Sequence, residues 1–144
     1  MNKIKFLFLA FFLLPFLANA QVHKSFHQIF EMSDSVSTIE LKLVGAYEWE
    51  HWAGNTIMLQ TKVELYDASQ ATLDYFWEKD ERYTVEGQGG GKKMLLFALK
   101  QKRPGIKVGD IECFEIVKQL LFIPEAFELT GEGVFVRPED EEEE

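Results

Sequence analysis

His23, His27 and Glu31 recur at every fourth position near the start of the chain. On a helix they would share a face, and two imidazoles with a carboxylate can hold a divalent metal. On a strand they also share a face, but a rise of ~3.3 Å per residue spreads them over ~26 Å, too far for one ion. The apolar neighbours fit both forms: Val22, Phe26, Ile29 and Phe30 make a helical stripe, and Val22, Phe26 and Phe30 make one side of a strand. We assign a strand, and with it no metal site.

Glu48, Glu50 and His51 could supply an acid and a base, which must converge in a pocket to work together. Alternation along a strand turns His51 away from both glutamates, so His51 is read as a histidine at the rim of the core. A hydrolytic cleft would need two or more of His51, Glu48, Asp80 and Arg82 to meet. The stretch "EGQGGGKK" (86–93) is superficially like a phosphate loop, but Glu86 stands where its first glycine belongs and no Ser or Thr follows the lysines. It is read as a hairpin turn. No serine occupies a nucleophile elbow and no Cys–His pairing is suggested by spacing. Cys113 is the one cysteine, and the alternation of "IECFEIV" makes it a small buried hydrophobe. The reading is therefore non-enzymatic, with no cofactor.

The elements that carry these residues are mostly strands. Ile39, Leu41 and Leu43 alternate with Glu40 and Lys42; Ile57, Leu59, Val63 and Leu65 alternate with Gln60, Lys62 and Glu64; Tyr47, Trp49 and His51 alternate with the two glutamates. Residues 47–51 and 57–65 are expected to form a hairpin. Odd positions are apolar on both strands, so the apolar faces coincide only if facing residues have an even index sum. A three-residue loop, Ala53-Gly54-Asn55, satisfies this and sets Trp49 opposite Leu59. Trp49 then turns inward, while Trp52 falls on the wetter face and has the better chance of exposure.

Asp67, with Gln70 three residues on, resembles a capping box, and Leu73, Phe76 and Trp77 follow at helical spacing. This predicts one short helix at about 68–79, laid on the sheet. "RYTVEG" is a strand and "GQGGG" a flexible turn. "KKMLLFALK" is apolar on both faces, as a central strand should be. "QKRPGIKVGD" is a loop, "ECFEIVKQLLFI" a long strand ending at Pro124, and "AFELTGEGVFVRP" a closing hairpin. The fold class is all-β, a mostly antiparallel sandwich or roll with that one helix packed on the sheet.

Residues 1–20 combine two lysines, the apolar run "FLFLAFFLLPFLA" and an Ala18-x-Ala20 site, the pattern of a secretory signal peptide cleaved before Gln21. Residues 21–137 are read as a single β-rich domain and 138–144 as an acidic, disordered tail. No later segment is apolar enough to span a membrane. The formal charge is −9, and about −11 without the two leading lysines. That charge argues against nucleic acid, whose phosphates call for Lys and Arg, and against anionic lipid.

Together, "YEWEHWAGNTIMLQTKVEL", "ERYTVEG" and "EIVKQLLFIPEAFEL" resemble the β-rich domain of exported Bacteroidota proteins labelled as adhesins or autotransporter-type head domains. Trp49, Trp52, Gly54, Asn55, Arg82, Tyr83, Ile123 and Pro124 carry that resemblance. It implies an all-β envelope protein and no catalytic residue. The expected function is contact with an envelope protein or glycan, in the periplasm or at the cell surface, with Trp52 and Tyr66 as binding residues. The alternative is a carrier of a small apolar ligand, held between sheet and helix among Trp49, Phe76, Trp77 and Phe97.

Overall fold

The computed structural model describes residues 21–139; the expected signal peptide (1–20) and residues 140–144 of the expected tail lie outside the described residues. The strands are β1 (Gln21–Phe30), β2 (Thr38–Lys42), β3 (Glu48–Trp52), β4 (Ile57–Tyr66), β5 (Val85–Gly90), β6 (Lys93–Ala98), β7 (Lys107–Val108), β8 (Ile111–Glu112), β9 (Glu115–Pro124), β10 (Glu128–Gly131) and β11 (Val134–Val136). One sheet has the order β1-β4-β9-β3, a second β10-β11-β2-β6-β5, and β7-β8 forms a small hairpin. Most pairings are antiparallel, but β2–β6 and β3–β9 are parallel. The all-β class with one short helix is what the alternation predicts.

Inward side chains of the four-stranded sheet serve two cores. At one end Phe30, Ile57, Leu59, Leu121 and Ile123 meet Ile39, Leu41, Met94, Leu96 and Phe135 of the second sheet. At the other end Val63, Leu65, Val22 and Val117 are covered by the helical segment and its flanking loops, through Leu73, Phe76, Trp77, Tyr83 and Ile106. The sheet is thus a common floor beneath a second sheet and a helix, because ten-residue strands outrun the short strands packed on them.

The helix, α1, spans Gln70–Asp74 and widens into a π turn over Tyr75–Lys79, where Asp80 N–H donates to the Tyr75 carbonyl at 3.0 Å. Its expected stripe packs on the core as the spacing requires. The expected cap does not form at Asp67. That residue adopts φ 60° and turns the chain out of β4, a conformation Asp tolerates. Ser69 caps instead, accepting from Thr72 N–H at 3.2 Å. Lys24 of β1 ties the helix down through Asp74 (3.1 Å) and Glu78 (3.4 Å).

Two further expectations are corrected. The hairpin of 47–51 with 57–65 is absent: β9 lies between β3 and β4. Leu121 faces Leu59 on one side and Trp49 on the other, so Trp49 and Leu59 still share the inward face. An inserted strand conserves parity when both of its registers do, which is why the face was readable and the neighbour was not. The physical preference is plain in "LLFI": a strand apolar on both faces gains most from a central place, whereas "EWEHW" is suited to an edge. Second, "GQGGG" is not a turn. Gly87–Gly90 belong to β5, and the bend comes at Gly91, with φ 58°. A side chain at Gly87 would press on Phe30 of β1 and Met94 of β6, each 2.8 Å from its Cβ position. Glycine lets the two sheets close at this corner.

Candidate functional site

The outer face of the four-stranded sheet is the candidate site. Inward residues of β4 are buried from Ile57 to Leu65. On the outer face Pro124, at the end of β9, is buried, and every other described side chain is exposed or half-buried. Register aligns Ile29, Met58, Phe122 and Glu50 in one row across all four strands. Ile29 is 62% exposed, unusual for an isoleucine. One step along, His27, Gln60, Leu120 and Glu48 form the next row, followed by Ser25, Lys62 and Lys118.

A groove of about 320 Å³ opens on this face where β3 begins, lined by Ala46, Tyr47, Glu48, Gln60, Lys62 and Lys118 among others. Its cause is local. β3 pairs β9 only from Leu120 to Pro124, so β9 from Glu115 to Gln119 has β4 on one side and no described strand on the other. The chain before β3 veers off and is pinned by Gln119, whose amide donates to the Val44 and Ala46 carbonyls at 2.9 and 3.2 Å.

Trp52 and Tyr66 both lie on this outer face, at opposite corners. Trp52 is half-buried, folded over Gly54, and its indole N–H donates to the Thr56 carbonyl at 2.8 Å. Tyr66 ends β4, where its hydroxyl meets Gln21 at 3.1 Å and its ring stands 5.8 Å from the exposed Phe114. Roughly ten residues of strand separate them, about 33 Å. They are two ends of a surface, not one pocket. Lys62 and Lys118 drew no attention in the sequence, where each is an ordinary polar alternate; only the register sets them side by side.

His51 Nε2–H donates to the Phe127 carbonyl (2.7 Å), and the ring stacks edge-on with Trp49 at 5.1 Å. Asp80 is 3.6 Å from Lys100, while Arg82 takes Glu115. His51, Asp80 and Arg82 therefore have separate partners, and Glu48 stands apart on the outer face, in the lining of the groove. Strand β1 carries His23 and His27 on its outward face and ends one residue before Glu31, and among the described residues no group of three metal-ligating side chains converges. Burial pushes the Cys113 thiol up, away from the reactive thiolate.

A buried polar cluster sits beneath the helical end. Arg82 grips Glu115 with two bonds, of 3.0 and 3.1 Å, and donates to the Pro104 carbonyl at 2.8 Å. The Tyr83 hydroxyl donates to the same carboxylate, and Arg103 lies over the Tyr83 ring at 5.8 Å. Glu115 shares its inward phase with Val117, Leu121 and Ile123, and a carboxylate in an apolar phase was the available signal of a buried partner. Burial, aided by the bond to Glu115, raises the Tyr83 phenol well above its ordinary range. The folded state holds that proton more tightly than the unfolded chain. The associated stability is complete below about pH 10 and is lost as pH rises beyond it. Urea unfolding between pH 8 and pH 11 should show a steeper alkaline loss in the wild type than in Tyr83→Phe, by up to ~1.4 kcal/mol per pH unit. Equal slopes would contradict the assignment.

Comparison of the chain with protein-family models, curated proteins and solved structures finds no match in any of the three.

Proposed function

We propose that this chain is an exported, non-enzymatic envelope domain that acts by contact, and that its working surface is the outer face of the four-stranded sheet. The observation that carries the reading is the row Ile29–Met58–Phe122, which brings apolar side chains together on a face that the fold does not cover. Grouped exposed apolar side chains favour an interaction role over a solvated one. Export rests on the signal-type pattern of residues 1–20. Among the described residues no helix is long and apolar enough to cross a membrane.

The carrier alternative loses its site. Trp49 packs on Phe135 at 4.9 Å in the core between the sheets, whereas Trp77 packs on Phe26 at 4.3 Å beneath the helix. Phe97 points to the outer side of the second sheet, opposite in phase to buried Leu96 and Ala98. The four residues do not surround a common space.

The test is binding of the exported protein to envelope preparations, comparing wild type with the double variant Ile29→Glu/Phe122→Glu. Saturable binding that survives periodate oxidation of the glycans and is lost in the double variant supports protein contact through this face. Periodate-sensitive binding assigns the face to glycan. Undiminished binding by a folded double variant overturns the choice of face, and retention of the protein in the cytoplasm overturns the envelope role.

A further inference from the structure

The groove at the start of β3 lies where, among the described residues, no strand continues beside β9. Over Glu115–Gln119 β9 carries a described ladder partner on one side only, and the strand that would continue there ends at Glu48. Backbone amide and carbonyl groups along such a margin template the addition of another strand. A partner strand laid here would alternate its side chains with those of β9. Its outward side chains would stand beside Lys118, with Lys62 one strand further on and directly opposite Lys118. Its inward side chains would stand beside Val117 and Gln119.

The charges around the position are unbalanced. Like charges set directly across a ladder repel, and among the described residues neither Lys62 nor Lys118 has an ion-pair partner. Glu48 and Glu64 occupy diagonal register positions, and of these Glu48 lines the groove, leaving two ammonium groups against one carboxylate there. This local excess is notable in a chain of net charge −9. At the far end of the margin the residue before β9, Phe114, is 64% exposed, and Ile111 just upstream is 59% exposed.

We infer that this margin of β9 accepts an extended segment of a partner protein, with acidic residues at its outward alternates and apolar residues at its inward ones. The inference rests on the contact reading of the outer face and names the partner's chemistry. Backbone bonds to β9 would supply attachment, and Lys62 and Lys118 would select the charge and register of the incoming strand.

The experiment is fluorescence anisotropy of the full exported chain with a labelled octapeptide of alternating glutamate and valine. Three comparison peptides share its length: one with four glutamates followed by four valines, one N-methylated at alternate residues, and one with lysine in place of glutamate. The alternating peptide should bind saturably at one per chain. N-methylation of the edge-facing amides should abolish binding, and the blocked-sequence and lysine peptides should bind at least about tenfold more weakly. Lys62→Glu/Lys118→Glu, shown folded by its unfolding midpoint, should also weaken binding about tenfold. Absence of binding, or equal binding by the N-methylated or blocked peptides, overturns strand addition while leaving the envelope experiment to judge the broader reading. A tenfold rise in affinity on removing residues 139–144 assigns the position to the chain's own acidic end and overturns the partner.

Discussion

Replacing Glu115 with alanine is expected to lower the unfolding free energy by about 3–5 kcal/mol, the range for removing one partner of a buried ion pair. The Arg82 side chain is only 6% exposed, and Glu115 takes two of its three bonds. Without the carboxylate, the guanidinium would keep only the Pro104 carbonyl, and the Tyr83 hydroxyl would lose its acceptor. Arg103 adds a second cation nearby, with its Nε buried and unpartnered, and burial together with Arg82 already lowers its affinity for a proton. Loss of Glu115 would leave two cations facing each other without an anion between them. Urea unfolding reads the loss directly. The double change Arg82→Met/Glu115→Leu should recover most of it, because removing both charges abolishes the unpaired state. A single-variant loss below about 1 kcal/mol would place the pair among exposed ion pairs and refute the account.

Leu121→Ala is expected to cost about 2–5 kcal/mol. Leu121 is fully buried and is the shared register partner of Leu59 and Trp49. Truncation would open a cavity at the seam where three strands meet, and the neighbours are held by ladders on both sides, so collapse is limited. Trp49 would lose its lateral support, and its emission should shift to longer wavelength as water reaches the ring. Leu120→Ala, one position away on the outer face and only half-buried, should change stability by less than about 1 kcal/mol. Equal costs at the two positions would mean that the inward and outward phases of β9 are wrongly assigned.

The contrast between these residues shows where local pattern stops being informative. Side-chain phase is a property of each strand alone: period two follows from the pleat, and burial of one face selects the apolar phase. Hence "TIELK", "IMLQTKVELY" and "EIVKQLLFIP" reveal their strands and inward residues, and Leu73, Phe76 and Trp77 reveal the helical segment. Glycines mislead for a related reason. Gly87–Gly90 look like a turn because glycine permits one, yet they form a strand, and the missing side chain at Gly87 makes room for Phe30 and Met94, which come from other strands.

The candidate site was hardly legible. Trp52 and Tyr66 are ring residues visible in the sequence, and both fall on the outer face, but the groove depends on how far β3 accompanies β9. Glu115 and Arg82 are 33 positions apart, and nothing in either neighbourhood names the other. Taken alone, then, the sequence determined the strand-rich class, the phase of the long strands and the presence of one short helix, since alternation and helical spacing are local consequences of backbone geometry. Only the tertiary structure decided that β9 separates β3 from β4, that Arg82 finds Glu115, and that Lys62 and Lys118 stand together where β9 has a described strand on one side only. Strand order and register come from which surfaces fit when the sheets close, a competition among distant segments that no single stretch encodes.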